Sequence, residues 1–526
     1  MIKKQAIIDD FYLKTFLIGW GISCVVWSFM IFQFWWGNHD WGYLRSGISL
    51  TSGFFEARYS LQLPTILFLD GHIYPVLTII STLALLVCLG ILVGVYLDVP
   101  KKLKNYLFLV FFAGFNPYNF ALFYYNHYMF SLVFWGCVGI VFLFFNEKTK
   151  IGWGTVFNVL LIFLLLGSYP PIIMLILVLF MAKRLKRYCD GQETLVQICK
   201  LGIYFSFQFL LGYLGFKLVF LYLDSRQFIN NKMYNLSFRS MRDVLYQIIP
   251  ELMQSLLQLF HQYTFLENAY CLLTAILVIF AVILVYQSKV SKFGITLLVL
   301  GLFLVSRFAF LLAGDSSKIA EFRLEYWGKQ GVMFFALSVI LRNKSLVVKN
   351  FSNLWLFILF FFFACTSFEI QKVQHLGFLA GRKMQQRMHE YVTRQPMFDF
   401  KKQYLSITLG NPNFRIRYVD DKYFTSEMTG NTLTFPVEYI FGLFWDDTLP
   451  FITVRSSLGK NVIYRSSNVA IDYWRNNPQN MENIRYWLYN DARYSNVYVD
   501  DRYIIAVLDM NDFYKYRELV AAKLDK

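Results

Sequence analysis

The chain consists largely of long apolar runs separated by short charged segments, and this pattern restricts its fold more than any other feature. A helix needs about 20 apolar residues to cross a bilayer. Only 16% of the residues are charged, against about 25% in an average soluble protein. The first run is too long for a signal peptide and has no small-residue cleavage site after it. The sequence therefore predicts a polytopic α-helical membrane protein and excludes a wholly soluble one.

About eleven apolar segments are predicted to be membrane helices. They are 15–36, 75–97, 106–125, 129–146, 154–167, 170–182, 200–222, 268–287, 293–313, 328–342 and 351–367. An odd number of crossings places the two ends of the chain on opposite sides. With the N-terminus inside, the cytoplasmic loops hold roughly twice as many lysines and arginines as the outer loops, which the positive-inside rule favours. The predicted topology is N-terminus in and C-terminus out.

The segment 154–182 is the most ambiguous part of this topology, because Gly167-Ser168-Tyr169-Pro170-Pro171 interrupts it. Each half is short for a full crossing. Basic residues flank both ends of the segment, which favours a hairpin that leaves the cytoplasm and returns. A single crossing would reverse the orientation of everything that follows.

Residues 369–526 differ in composition from the membrane part, 1–368. They carry frequent charges and short alternating runs such as "FRIRYV" and "YIIAVL", which predict strands. This part is predicted to be a soluble, extracytoplasmic α+β domain, and it contains no cysteine for a disulfide. The net charge of +16 comes mainly from the cytoplasmic loops beside anionic lipid, so it argues against a nucleic-acid partner.

The long outer loop between the first two segments places acids and bases at the membrane margin. "NHDWGYLRS" sets Asp40 between His39 and Trp41 directly after the first segment, and Asp70 and His72 precede the second. A carboxylate at this position can accept a proton from a substrate hydroxyl. The alternative is an ordinary solvated boundary residue. The spacing of the histidines and acids is not specific for a metal, so no metal site is predicted.

Arginines in the same loop add candidate anion ligands. Arg45 and Arg58 can hold a phosphate through bidentate hydrogen bonds, or they can pair with lipid headgroups.

Three stretches together resemble a known family. The first loop has Asp40-Trp41, then Arg45, then "FEARY" and a proline that opens an apolar run; "FNPYNFALFYYNHYMFSLVF" and "GSYPP" follow. This order is similar to the bacterial Gtr-type glucosyltransferases, the O-antigen or serotype-converting enzymes of the GT-C class of membrane glycosyltransferases. The chain departs from the family in lacking an acid near Asn126 and in having proline after Tyr169, which leaves the donor sugar open.

The resemblance implies transfer of a hexose, in this family glucose, from a polyprenyl-phosphate sugar to a cell-surface glycan or lipid-linked acceptor. It places the chain in the bacterial cytoplasmic membrane, with the reaction on the outer face, no cofactor, and a separate donor synthase and flippase as partners. Asp40 would be the catalytic carboxylate. Cations would stabilise the phosphate leaving group.

Further candidates for this chemistry lie near the outer helix ends. Arg307, within an apolar helix, is the first candidate for the donor phosphate, although it could instead snorkel to the interface or pair with Asp315. Arg323 and Lys329 are additional phosphate or acceptor ligands. The remaining acceptor candidates are His39, Trp41, Asp70, His72, Tyr118, Asn119, Tyr125, Asn126, His127 and Tyr169. The aromatic residues among them could stack on a sugar or simply belong to the interface belt.

In the C-terminal domain, acceptor binding through Trp445, Asp446, Asp447 and Trp474 competes with an ordinary core role for the two tryptophans. The segment 223–267 is predicted to be an outer amphipathic helix that could roof the lipid carrier. Two other functions stay open: an outer-leaflet polysaccharide polymerase, and a transporter or flippase of lipid-linked sugars. A transporter should show paired halves with buried charges at the midplane, and the sequence shows neither.

Overall fold

The computed structural model describes most of the helical part of the chain and the core of the C-terminal part. The described residues are 10–32, 47–51, 54, 58–72, 74–116, 119, 126–145, 153–226, 265–306, 321–343, 345–399, 404–409, 462–464, 467–491, 497–507 and 510–524. They divide into two compact units between Gln371 and Lys372, close to the predicted domain boundary at 368.

The first unit is helical. Its helices are α1 (Asp10–Val26), α2 (Ser28–Phe32), α3 (Leu63–Leu69), α4 (Pro75–Tyr96), α5 (Leu103–Phe115), α6 (Asn126–Phe145), α7 (Trp153–Ser168), α8 (Ile172–Cys189), α9 (Leu195–Ser225), α10 (Phe265–Tyr286), α11 (Lys292–Val305), α12 (Glu321–Arg342) and the first part of α13 (Leu346–Thr393), which continues past Gln371 into the second unit. Each predicted membrane segment overlaps at least one of these helices, and the segment 15–36 overlaps two, α1 and α2. The bounds differ most in α13, which continues well beyond 367, and in α5, which stops at Phe115 where the sequence predicts helix to 125.

Local sequence signals explain where several helices begin. Pro75 opens α4, where the missing N–H of proline costs nothing. Thr194 and Gln197 form a capping box at the start of α9, with each side chain satisfying a backbone N–H of the other residue.

Four helical segments among the described residues are long and apolar enough to cross a membrane. They are Val76–Tyr96, Tyr128–Phe145, Leu195–Ser225 and Val348–Phe368. Shorter apolar helices of 10–17 residues lie at Leu103–Phe115, Gly154–Ser168, Leu272–Tyr286 and Lys292–Val305. The prediction of a helical chain with apolar spans is confirmed. The number of crossings and their orientation stay predictions.

The chain reverses at the "GSYPP" turn. Helices α7 and α9 are parallel neighbours: Thr155 hydrogen-bonds Tyr204, and further along both helices a Cβ on Gly212 would meet Ile162. Since only 169–171 separate α7 from α8, α8 must run back along the pair before α9 begins. This is the geometry that the hairpin interpretation requires.

Helix α12 packs at the centre of the helical unit. Trp327 is almost fully buried and its ring lies against Gly136 of α6. Phe334 packs edge to face against Phe112 of α5, with ring centroids 5.0 Å apart. At Gly331, a Cβ would come within 2.8 Å of Val178 on α8. Small residues thus let α12 approach its neighbours closely, as is common between membrane helices.

The predicted cytoplasmic ends of α4 and α8 are joined by ion pairs. Lys183 is buried and its ammonium lies 2.7 Å from the carboxylate of Asp98, which Lys186 also contacts. Arg184, also buried, lies 2.6 Å from Glu193 in the turn before α9. Burial opposes ionisation of Asp98, but the hydrogen bonds from the two lysines prevail and hold its pKa below the usual value.

The second unit contains a four-stranded sheet with the order β2-β1-β4-β3. Its elements are β1 (Tyr404–Leu409), β2 (Val462–Tyr464), α14 (Ser467–Arg475), α15 (Pro478–Tyr486), β3 (Val497–Val499), β4 (Tyr503–Val507) and α16 (Met510–Leu524). Strand β1 pairs in parallel with β2 and β4, and β3 is antiparallel to β4. The strand predicted at "YIIAVL" is confirmed as β4; "FRIRYV" lies outside the described residues.

Trp474 belongs to the core of this second unit. It is 0% exposed, and its indole N–H donates to the buried carboxylate of Asp500, 2.8 Å away. The same carboxylate accepts the backbone N–H of Arg502 in the turn between β3 and β4. Trp474 therefore has the core role, and the suggestion that it binds an acceptor glycan is wrong. Trp445, Asp446 and Asp447 lie outside the described residues.

Candidate functional site

A short turn of the loop between α2 and α4, the predicted first outer loop, is fixed on the C-terminal end of α7. The backbone N–H of Ser60 donates to the carbonyl of Gly167 at 3.0 Å, and the hydroxyl of Tyr59 donates to the carbonyl of Phe163 at 3.0 Å. From the other side, the indole N–H of Trp135 on α6 donates to the carbonyl of Ser60 at 3.1 Å. Burial raises the pKa of the Tyr59 phenol, so this hydroxyl stays protonated as a donor.

The close approach of this turn depends on Gly167. A Cβ built at this position would lie 2.2 Å from the ring of Tyr59. On its other side, the Tyr59 ring packs against Phe163 and Phe216, with centroids 5.1 and 6.2 Å apart. The first residue of "GSYPP" thus lets the outer loop lie directly on the α7 and α9 pair.

This anchoring places Arg58 between two tyrosine rings. The guanidinium carbon lies 5.1 Å from the ring centroid of Tyr169, in the "GSYPP" turn, and 5.5 Å from that of Tyr128, near the start of α6. Arg58 is only 8% exposed. Cation–π contacts of this kind stabilise by about 0.5–2 kcal/mol. They also hold a planar guanidinium, the group that best matches a phosphate or carboxylate, in one orientation.

Polar groups continue along the segment after Arg58. Gln62 is 1% exposed, and neither its amide oxygen nor its amide nitrogen has a hydrogen-bond partner within the described part of the chain. Three residues after Gln62, the hydroxyl of Thr65 shares a hydrogen bond of 2.7 Å with the hydroxyl of Ser131 on α6. Buried amides normally have partners, so Gln62 marks a place where a polar ligand group would be stabilised. The sequence analysis missed Gln62 because it has no motif around it.

Two segments of this loop, 47–51 and 70–72, meet. The N–H of Ile48 donates to the carbonyl of Gly71 at 2.6 Å, and Gly71 has a left-handed φ of +70°, a conformation that favours glycine. The contact brings the segment just after "NHDWGYLRS" next to Asp70 and His72. Both side chains are exposed, and the His72 ring lies 6.1 Å from the ring of Tyr74.

The structure describes the remaining candidate residues to different extents: some with their side chains, some as backbone only, and some not at all. Asn119 is fully buried, and its amide donates to the carbonyl of Ala113 at 2.6 Å, which ties it to the end of α5. Lys329 lies on α12, two residues from buried Trp327. For Arg323 on α12 and for Asn126 and His127 on α6, the structure describes the helix backbone only. Asp40, Arg307, Arg45, His39, Trp41, Tyr118 and Tyr125 lie outside the described residues.

The candidate site is therefore the contact between the outer loop, the start of α6 and the "GSYPP" turn, with Arg58, Gln62, Tyr128 and Tyr169 as its members. Of the residues singled out from sequence, the structure brings Arg58 and Tyr169 together. Among the described residues, no group of three histidine, cysteine or acidic side chains is placed to hold a metal ion. Comparison with protein families, with characterised proteins and with solved structures finds no match to this chain.

Proposed function

We propose that the protein is a membrane glycosyltransferase of the GT-C class, similar to the Gtr-type glucosyltransferases. It would cross the bacterial cytoplasmic membrane about eleven times and transfer a hexose from a polyprenyl-phosphate sugar to a glycan on the outer face. The observation that carries the proposal is the position of Arg58, which lies between Tyr128 and Tyr169 where the outer loop meets the ends of two apolar helices.

The chemistry of the reaction gives Arg58 a specific role. As the bond from the anomeric carbon to the lipid phosphate breaks, negative charge grows on the phosphate oxygens. A fixed guanidinium that donates to those oxygens lowers the barrier, because it is already oriented when the charge develops. Gln62, four residues on, would donate its amide N–H to the donor phosphate or to the sugar.

Asp40 supplies the other half of the proposed mechanism. Its carboxylate would accept the proton of the acceptor hydroxyl as the hydroxyl oxygen bonds to the anomeric carbon. The lipid phosphate leaves with the bonding electron pair. Arg307 and Arg45 remain proposed as further phosphate ligands, and Asp70 and His72 as acceptor ligands on either side of Gly71, which bonds Ile48.

Substitution of Arg58 tests this function. We expect Arg58→Ala to lower the rate of sugar transfer from a synthetic polyprenyl-phosphate hexose by about a hundredfold, as removal of one preorganised donor does elsewhere. Arg58→Lys should recover part of the rate, because it keeps the charge without the bidentate fork. The measurement is incorporation of labelled hexose by purified protein in lipid.

The matched control is Arg226→Ala, at the exposed C-terminal end of α9. Arg226 also lies over a tyrosine ring, 5.6 Å from that of Tyr222, but it is exposed, whereas Arg58 is buried. Its rate should stay at the wild-type value. Wild-type transfer by a folded Arg58→Ala variant would remove Arg58 from the mechanism. Active polymerisation of lipid-linked oligosaccharide, without transfer from the monophosphate donor, would favour the polymerase.

A further inference from the structure

Lys217 is a cation within one of the apolar spans. It lies in α9, where Leu195–Ser225 is long and apolar enough to cross a membrane. A charged side chain inside such a span is costly and usually has a function. Sequence analysis passed over Lys217 because it belongs to no motif of the outer loops.

Lys217 lies at the surface of the helical unit. It is half-buried, and the leucines around it on the helix are exposed, with Leu214 at 49%, Leu218 at 69% and Leu221 at 58%. In a membrane, exposed leucines on a spanning helix contact lipid chains. Lys217 therefore lies at the edge of a lipid-facing surface.

Lys217 lies in the half of α9 nearer its C-terminal end. It precedes the end of α9 at Ser225 by two turns of helix, or about 12 Å. Its Nζ lies 5.2 Å from the ring centroid of Phe220 on the following turn. A lysine within a bilayer extends its ammonium group toward the headgroups while its stem stays among lipid chains.

Lys217 is also adjacent in sequence to a residue that packs against the candidate site. The preceding residue, Phe216, stacks on Tyr59, and Tyr59 follows Arg58. A lipid that approaches along the leucines of α9 would therefore meet Lys217 before it reaches the turn that carries Arg58.

We propose that Lys217 binds the phosphate of a lipid from the surrounding bilayer, at the edge of the candidate site. An ammonium offers three hydrogen-bond donors and a compact charge, which suit a phosphate that arrives in different orientations. A polyprenyl phosphate and an anionic phospholipid both present this group. The proposal concerns binding and does not require the transfer reaction.

Lipid titration of the purified full-length protein in detergent tests the proposal. The probes are a polyprenyl monophosphate and phosphatidylglycerol, and bound lipid is measured by native mass spectrometry. We expect Lys217→Met to bind at least one probe about fivefold more weakly than the wild type, the effect of one lysine near anionic headgroups. Lys217→Arg should keep wild-type binding, because it keeps the charge.

The control is Lys200→Met, which removes an exposed lysine near the other end of the same helix. Its affinity for both probes should equal that of the wild type. Weaker binding of the polyprenyl phosphate alone would identify the donor lipid as the occupant, and weaker binding of both would identify any lipid phosphate. Equal affinity of Lys217→Met and wild type for both probes would overturn the proposal, as would an equal loss in Lys217→Arg or Lys200→Met.

Discussion

Gly167 and Tyr59 show how one missing side chain determines where the outer loop lies. The Tyr59 ring occupies the space in which a Cβ of residue 167 would lie, and the Ser60 N–H is bonded to the Gly167 carbonyl. A larger residue would have to push the turn away from α7. Arg58 would then move relative to Tyr169, because both residues adjoin this contact.

We expect Gly167→Ala to destabilise the protein by about 1–3 kcal/mol, the usual cost of overpacking a tight contact. The matched control is Gly154→Ala on the same helix, where a Cβ meets nothing within 4 Å. That substitution should be neutral or slightly stabilising, because alanine favours helix more than glycine does. Thermal unfolding of both variants in detergent measures the difference. Equal unfolding midpoints would show that the turn is not held in this way.

The contact between Arg58 and Tyr169 could not be predicted, because the two residues are far apart along the chain. Arg58 and Tyr169 were each singled out, but no sequence pattern relates two residues that lie in different connecting segments. Asn119 was a candidate for acceptor binding, whereas the structure buries it with its amide bonded to the carbonyl of Ala113. Residue type identifies a polar group, and only packing decides whether it meets a ligand or the backbone.

At the scale of elements, the α4 and α8 ends are joined by Asp98 and two lysines, which the sequence analysis assigned only to topology. Lys183 and Asp98 are 85 residues apart, so their pairing could not be predicted. Helix positions were predictable because apolar runs are long. The end of α13 was not, because the helix continues through the polar sequence after Phe368 and through Gly377 and Gly381, and the first proline comes only at Pro396.

The lowered pKa of Asp98 makes part of the stability depend on pH. The ionised carboxylate stabilises the fold above its unfolded pKa of about 4, and this contribution is lost as the pH falls through the lower folded pKa. We expect Asp98→Asn to unfold at a lower temperature than wild type at pH 7, with the difference shrinking below pH 4. Asparagine tolerates the left-handed φ of +49° at this position, so the substitution isolates the charge.

The control for Asp98 is Asp224→Asn, an exposed carboxylate near the end of α9. Its unfolding temperature should follow that of the wild type at both pH values. A gap between Asp98→Asn and wild type that is the same at pH 7 and at pH 3 would contradict an ionic contribution.

At the scale of the whole molecule, the proposed topology assigns a side of the membrane to every helix end. Helix α9 offers a direct test, because Cys199 is exposed near its start and Ser225 is exposed at its end. We expect a membrane-impermeant maleimide to label Ser225→Cys, in a chain without other cysteines, on intact cells. A chain that retains only Cys199 should be labelled only after the cells are permeabilised.

Labelling of both positions from the same side would contradict a spanning α9. Labelling with the sides exchanged would contradict the inside position of the N-terminus. The exchanged result would also move the candidate site of Arg58 away from the outer face, because the "GSYPP" turn lies at the same end of the bundle as Ser225, given that α7 and α9 are parallel.

The proposed function is sugar transfer from a lipid phosphate, with Asp40 as the general base. Its most direct test is incorporation of labelled hexose from a synthetic polyprenyl-phosphate hexose into envelope polysaccharide by the purified protein in lipid, with wild type beside Asp40→Asn. We expect transfer by the wild type and none by Asp40→Asn, which should fold and express normally. Full turnover by Asp40→Asn would contradict the role of Asp40, and absence of transfer by intact wild-type protein from every lipid-phosphate sugar would contradict the proposed function.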